Sequence, residues 1–95
     1  MRVRLTSAAQ RDLSAQLAWL KDKVPKAGRR AAEAIVRSLD LLGTFPDLGP
    51  SVRFEVREQD VRFSTFGFLI EYERHPQMIV VRRISHGAQL RGTLP

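Results

Sequence analysis

The sequence predicts an α+β fold in which a helical hairpin packs on one face of an antiparallel sheet. Apolar residues recur every three or four positions in the first half of the chain and alternate in much of the second half. A segment rich in proline and glycine, residues 45–50, separates the two patterns. Helical periodicity followed by strand periodicity is typical of the α+β class. We expect a short N-terminal strand and three C-terminal strands to form the sheet.

Length and composition limit the function classes. The chain has 95 residues and no cysteine, so we expect one domain over residues 1–95, without disulfides or thiolate metal ligands. A chain of this size supports one small core, and we expect neither a cofactor nor a metal. No apolar run approaches the roughly 20 residues that cross a bilayer, and the N-terminus does not resemble a secretory signal. The sequence therefore predicts a cytoplasmic protein without a membrane role.

The charge balance predicts an acidic partner. Sixteen basic residues against ten acidic ones give a net charge of +6. Most of the basic residues are arginines, which suit bidentate contacts with carboxylates and phosphates. Either an acidic protein or a nucleic acid fits this surplus, and charge alone does not choose between them.

The first half of the chain predicts an edge strand and two helices. Met1–Thr6 alternates as a strand, and Ser7 with Gln10 fits a capping box at the start of a helix over 7–24. Pro25 ends this helix and begins a short connection to an antiparallel second helix, which runs from Lys26 to about residue 42. Gly43 is expected to form its left-handed C-terminal cap. The apolar stripes comprise Ala9, Leu13, Leu17, Leu20 and Val24 in the first helix, and Ala27, Ala31, Ala34, Ile35, Leu39 and Leu42 in the second.

The second half predicts three strands, Val52–Phe63, Phe68–Glu73 and Met78–Ser85. The last two are expected to form a hairpin around a turn at Arg74–Gln77. Their alternation indicates one covered face, which the helices would cover.

His86 is the candidate for chemistry, since it directly follows the last predicted strand. It would act as a general base toward a ribose hydroxyl, with Arg82, Arg83 or Arg91 stabilising charge on a phosphate. The alternative is a histidine that hydrogen-bonds to a loop carbonyl and holds the C-terminal turn. Arg82 and Arg83 are expected to point to opposite faces, one toward the helices or a salt partner and the other toward a ligand. His75, in the hairpin turn, is expected to be a surface residue.

Two aromatic residues also allow two interpretations. Trp19 lies beside the main stripe of the first helix, where it either widens the core or forms an exposed anchor for a partner. Tyr72, in a strand, is expected to be packed rather than catalytic.

Three segments, in this order, resemble the RelE/ParE superfamily of type II toxins over nearly the entire chain. They are the hairpin with Ala9-x-x-Asp12-Leu13 and Pro25-x-Ala27, the turn Leu42-x-x-Phe45-Pro46-x-x-Gly49, and the strand pair 66–72 with 81–88. The resemblance implies a helical hairpin on an antiparallel sheet and a complex with a cognate acidic antitoxin lying along the helices and the sheet edge. The expected antitoxin contacts are Trp19, Arg30, Arg37, Arg62 and Tyr72.

The superfamily contains ribosome-dependent messenger-RNA nucleases and gyrase inhibitors, and the resemblance favours the second branch. Nuclease members carry a basic residue in the third strand, where this chain has Leu69, Ile70 and Glu71. They also carry a basic residue near the C-terminus, where this chain has Gln89. The resemblance therefore implies a ParE-like toxin that binds DNA gyrase without doing chemistry. The contact surface would consist of Arg83, His86, Gln89 and Arg91.

Two alternatives remain open. One is a RelE-like messenger-RNA endoribonuclease that acts on the ribosome and uses His86 as base. The other is a non-toxic module that binds only an antitoxin or a nucleic acid.

Overall fold

The computed structural model describes residues 1–23, 25–26, 28–63 and 66–86, and gives the backbone alone for residues 62, 63 and 66. It confirms the α+β fold and the helical hairpin packed on the sheet. The elements in chain order are β1 (Arg2–Leu5), α1 (Ser7–Lys23), α2 (Gly28–Thr44), β2 (Ser51–Arg53), β3 (Val56–Phe63), β4 (Phe66–Arg74) and β5 (Met78–His86). Within this described part, no helix is both long enough and apolar enough to cross a membrane.

The strands form one sheet with the order β1-β5-β4-β3-β2. Strands β2 to β5 pair with one another in antiparallel fashion, whereas β1 pairs with β5 in parallel. The expectation of a wholly antiparallel sheet was therefore wrong at its N-terminal edge. The helices carry the chain from β1 to the far edge, and three reversals then bring β5 back alongside β1 in the same direction.

The first predicted C-terminal strand is broken into two. β2 ends at Arg53, and Phe54 adopts a left-handed backbone with φ of 44° before β3 begins at Val56. The Phe54 side chain is 94% exposed. A left-handed phenylalanine costs about 1–3 kcal/mol of local strain. No residue signals this break in the sequence, because the turn has no glycine, asparagine or proline.

The N-terminal cap of α1 lies one residue earlier than the capping box predicted. The Ala9 amide donates to Thr6 Oγ1 at 3.0 Å, and Gln10 Nε2 donates to the Leu5 carbonyl at 3.3 Å. Thr6 Oγ1 also donates to the Arg82 carbonyl at 3.0 Å. Since β1 ends at Leu5, Thr6 is the residue in which strand geometry gives way to helix geometry, and it takes the capping role.

The predicted left-handed cap at Gly43 was also wrong. Gly43 lies inside α2, and no described glycine has a positive φ. Its missing side chain serves a close contact instead, because a Cβ there would lie 2.7 Å from the Met1 carbonyl oxygen. The N-terminal ammonium donates to the Gly43 carbonyl at 2.9 Å. This contact joins the start of β1 to the end of α2.

The core lies between the helical hairpin and the sheet, as the two stripes predict. The larger stripe residues of α2 are buried, and α1 contributes Ala9 and Leu20. β4 and β5 supply the opposing side chains. The buried cluster consists of Ala9, Leu20, Ala31, Ile35, Leu39, Leu42, Val61, Phe68, Ile70, Tyr72, Ile79, Val81 and Ile84.

Candidate functional site

The end of β5 forms a corner of the molecule with the side of α1 that faces it. We call Asp12, Trp19 and residues 82–86 the β5 corner. The pairing of β5 with β4 shifts here: Glu71 lies opposite Arg83, whereas Tyr72 lies opposite Val81. Arg82 is therefore the extra residue of a β-bulge. The strict alternation expected for Arg82 and Arg83 does not hold in a bulge, and contacts with neighbours place their side chains.

Asp12 of α1 holds Arg83. Arg83 Nε donates to Asp12 Oδ2 at 2.7 Å, and Arg83 Nη2 donates to Asp12 Oδ1 at 3.1 Å. The Ile84 amide donates to Asp12 Oδ2 at 2.9 Å. β1 pairs with β5 only as far as Val81. Beyond that residue, the Asp12 carboxylate provides the acceptor for the backbone amide of Ile84 on this edge of β5. One side chain thus fixes both the arginine and the backbone of the corner.

The electrostatics of this contact favour the ionised carboxylate. The hydrogen bond from Arg83 holds the pKa of Asp12 below its ordinary 3.8, and burial opposes this effect without reversing it. The sequence carries one signal of this contact. Asp12 lies three residues after Ala9, beside the apolar stripe of α1, and a carboxylate placed there requires a donor from the sheet.

Arg82 lies among carboxylates of β4. Arg82 Nε is 3.8 Å from Glu71 Oε2 and 3.6 Å from Glu73 Oε2. Glu71 also pairs with Arg53, whose Nη2 is 3.6 Å from its other oxygen. Both arginines of β5 therefore have carboxylate neighbours, rather than one of them alone. The salt partner that the sequence predicted for one arginine is therefore present for each of the two.

His86 packs between two aromatic rings. Its ring centroid lies 4.9 Å from that of Trp19 and 5.5 Å from that of Phe68, which it meets edge-on. Phe68 is buried in the core, and Trp19 packs against the core cluster. Of the two interpretations of Trp19, the structure therefore supports the core role, at the point where the core reaches the β5 corner.

Tyr72 belongs to the core and not to a partner surface. It is fully buried, its hydroxyl donates to the Pro46 carbonyl at 2.8 Å, and it accepts from the Gly49 amide at 3.0 Å. Desolvation raises the pKa of Tyr72 above 10.0. The expectation that Tyr72 contacts an antitoxin is therefore wrong for this fold, because its side chain anchors the segment before β2.

Of the other predicted site residues, the structure describes the side chains of two. Arg30 and Arg37 are exposed on α2, where they stay predicted antitoxin contacts. The side chain of Arg62 lies outside the described part of the chain, as do Gln89 and Arg91 altogether.

His75 lies in the β4–β5 turn, at the opposite end of β5 from His86. Its Nε2 lies 2.8 Å from Glu73 Oε1, and its side chain is partly exposed, as expected for a turn residue. It is a useful control for His86.

The β5 corner presents an exposed arginine whose position is held by Asp12. Arg83 is 60% exposed while its guanidinium is held in place, so a partner meets a pre-positioned cation. A phosphate would meet Glu71 and Glu73 beside Arg82, which opposes an anion. Across the described residues, no three histidine, aspartate or glutamate side chains are grouped closely enough to hold a metal ion.

Comparisons with known proteins agree on one family. A family model described as the ParE toxin of the type II toxin-antitoxin system parDE matches residues 3–91. The chain is 33% identical over 89 residues to Toxin RelE3 of Caulobacter vibrioides, covering 94% of this chain and 97% of that protein. It is 31% identical over 83 residues to Toxin RelE1 of the same organism, covering 87% and 89%.

A solved structure shows the same fold. A chain from the structure titled "Chromosomal ParDE TA system from P. aeruginosa" superposes with a TM-score of 0.69 at 22% identity. The match covers 90% of this chain and 95% of that chain. At this identity, the likeness supports the fold alone.

Proposed function

Because the chain belongs to the ParE toxin family of the RelE/ParE superfamily, we propose that it is a type II toxin that binds and inhibits DNA gyrase. A cognate acidic antitoxin neutralises it in the cytoplasm. The β5 corner is the surface that contacts gyrase, with Arg83 and His86 as its described contact residues. Gln89 and Arg91 complete the proposed surface.

Binding rather than catalysis is supported by the carboxylates that already pair with the arginines of the corner. A nuclease needs an arginine directed at the phosphate on which charge develops. Arg83 is instead committed to Asp12, and Arg82 lies between Glu71 and Glu73. These carboxylates neutralise the arginines and repel a phosphate.

The environment of His86 supports the same conclusion. A general base must come within hydrogen-bond reach of the hydroxyl that it deprotonates. The His86 ring has an aromatic neighbour on two sides, Trp19 and Phe68, which restricts the approach of a ribose. A ring held in this way is well suited to a packing contact with a protein partner.

The first experiment measures supercoiling by purified DNA gyrase against toxin concentration. Arg83→Ala and His86→Ala are each compared with His75→Ala, which removes the other histidine from a turn outside the corner. We expect the two corner variants to raise the half-inhibiting concentration at least about tenfold, and His75→Ala to leave it within about twofold. Equal effects of all three variants, with unchanged melting temperatures, would refute the assignment of the corner.

A second candidate function is cleavage of messenger RNA on the ribosome. The observation that favours it is that both curated relatives carry the name RelE. His86 would be the base, and Arg83 would have to leave Asp12 to reach the phosphate. In that case His86→Ala lowers the single-turnover cleavage rate by about a hundredfold or more, a larger loss than a binding contact causes.

A further inference from the structure

Phe54 is unfavourable in two ways that the fold does not explain. Its φ of 44° is a left-handed backbone that strains an aromatic residue. Its side chain is 94% exposed, so the ring adds almost nothing to the core. Backbone strain of this kind clusters at functional positions, and a projecting aromatic ring is typical of an anchor at a protein interface.

The surroundings of Phe54 are acidic, although the protein is basic. Residues 47–60 contain four acidic and two basic side chains, a net charge of −2 in a chain of +6. Glu55, next to the ring in sequence, is exposed. These acids oppose a nucleic acid or an acidic protein. A complementary surface therefore has an apolar pocket for the ring and a cationic rim for the carboxylates.

The same chain has such a pocket. A groove between α1 and α2 encloses about 330 Å³ and is lined by Leu17, Lys21, Pro25, Gly28, Arg29 and Ala32. We call it the hairpin groove. Its two cations are exposed, and residues 21–37 carry a net charge of +4. An apolar cavity of about 150 Å³ already holds a benzene molecule, so the groove has room for a phenyl ring.

The ring of the β2–β3 turn does not reach the groove of its own chain. The turn lies beside the end of β4, where Val56 pairs with Glu73. α1 reaches the other end of β4, since Trp19 contacts His86, which pairs with Phe68. Five residues of strand, roughly 17 Å, separate these two ends. A contact between ring and groove therefore joins two copies.

We propose that the free chain associates with itself, Phe54 of one copy inserting into the hairpin groove of the next and Glu55 facing the cationic rim. The contact is head-to-tail, because the ring and the groove are different surfaces. Each added copy leaves one ring and one groove open. The association therefore continues past a dimer into open chains or a closed ring.

This association leaves the β5 corner accessible. Successive helix residues are rotated by about 100°, so Leu17 and Lys21, each two positions from Trp19, lie roughly 200° from it. Trp19 faces His86 of the corner. Self-association and target binding are therefore separate properties, and the proposal goes beyond the proposed function.

Sedimentation equilibrium of the purified full-length chain, without antitoxin, tests the association. We expect the mean mass to rise with concentration up to about 1 mM, as for a weak contact with one anchor, and to exceed that of a dimer. Phe54→Asn should raise the Kd at least about tenfold. Phe45→Asn, which removes another exposed ring, should leave it within about twofold. A chain that stays monomeric, or an association that survives Phe54→Asn, would overturn the proposal.

The groove is tested from its own side. Ala32→Trp fills it and should weaken association, whereas Ala18→Trp on the exposed side of α1 should not. Arg29→Glu should also weaken association, and Glu55→Lys in the same chain should restore it. Equal association of Ala32→Trp and Ala18→Trp, or no restoration by the charge exchange, would contradict the groove assignment.

Mixing two variants tests whether the ring and the groove bind each other. Phe54→Asn keeps only the groove, and Ala32→Trp keeps only the ring. We expect each alone to be monomeric and an equimolar mixture to form a one-to-one pair that grows no further. A mixture that stays monomeric while the unchanged chain associates would refute the pairing.

Supercoiling assays separate this proposal from the proposed function. We expect Phe54→Asn to inhibit gyrase as the unchanged chain does, within about twofold, since the corner is intact. Lost inhibition without a lower melting temperature would assign Phe54 to the gyrase contact and overturn the proposal. An unchanged chain that associates as expected but does not inhibit gyrase would refute the proposed function alone.

Discussion

At the scale of single residues, Asp12 connects α1 to β5 at the β5 corner. It joins α1 to the arginine and to the backbone of a strand edge that has lost its neighbour. Its two oxygens accept three hydrogen bonds from Arg83 and Ile84. The geometry of the proposed contact surface therefore depends on a residue that does not itself have to touch the partner.

Removing this carboxylate should destabilise the fold. We expect Asp12→Ala to lower the free energy of unfolding by about 1–3 kcal/mol, because the Ile84 amide loses its acceptor. Asp22→Ala is the matched control, since Asp22 is 74% exposed and contacts only Lys23 among the ion pairs of the described residues. Its effect should stay below about 0.5 kcal/mol. Chemical denaturation measures both, and equal losses would contradict the role of Asp12.

The same carboxylate predicts a pH dependence. The pKa of Asp12 in the folded state lies below its ordinary 3.8, so ionised Asp12 contributes stability that is complete above that value. The contribution is lost as the pH falls through the folded-state pKa. We expect the stability difference between the unchanged protein and Asp12→Asn to be constant near neutrality and to shrink below about pH 3.8. A difference that does not change with pH would contradict the assignment.

At the scale of elements, the segment between α2 and β2 is fixed by a close approach. A Cβ on Gly49 would lie 2.6 Å from the Glu58 carbonyl oxygen and 3.1 Å from Tyr72 Cε1. Neither neighbour is the end of a flexible side chain, since one is a backbone atom of β3 and the other belongs to a buried ring. Gly49 is therefore part of the packing between this segment and the sheet.

An alanine at this position tests the close approach. We expect Gly49→Ala to lower the free energy of unfolding by about 1–3 kcal/mol through overpacking. Gly67→Ala is the control, because among the described atoms a Cβ there would meet only the Val61 carbonyl oxygen, at an ordinary 3.9 Å. It should change stability by less than about 0.5 kcal/mol. Thermal melts of the two variants check this, and a tolerated Gly49→Ala would show that the segment is not packed as described.

In the turn between β2 and β3, we expect a substitution to raise the free energy of unfolding. Phe54 is held at a φ of 44° with almost its whole side chain in solvent. Asparagine tolerates the left-handed region better, so we expect Phe54→Asn to raise the free energy of unfolding by about 0.5–1 kcal/mol. Val52→Asn, at another exposed position of this edge, should give no gain. A destabilising effect of Phe54→Asn would contradict the assignment of backbone strain to Phe54.

The helices and strands with regular apolar patterns could be predicted from the sequence. The stripes of α1 and α2 and the alternation of β4 have strong periodicity, and these elements were predicted to within a few residues. The break at Phe54 and the bulge at Arg82 left no local signal, because they arise from strand pairing and not from residue preference. The positions of Arg83 and His86 at the end of the last strand could be predicted. The role of Asp12 could not, since its partners lie more than seventy residues away.

At the scale of the whole molecule, the positive charge is unevenly distributed along the chain. Residues 21–37 contain six basic and two acidic side chains, a net charge of +4 out of +6 for the chain. The arginines of the β5 corner instead pair with carboxylates. Long-range attraction of an acidic partner should therefore act mainly near residues 21–37, and packing should dominate at the corner.

The most direct test of the account places the purified toxin in two reactions under the same conditions. One measures supercoiling of relaxed DNA by gyrase, and the other measures the integrity of a messenger RNA on translating ribosomes. We expect dose-dependent loss of supercoiling with intact messenger RNA. Unaffected supercoiling at high molar excess of toxin, together with cleaved messenger RNA, would contradict it.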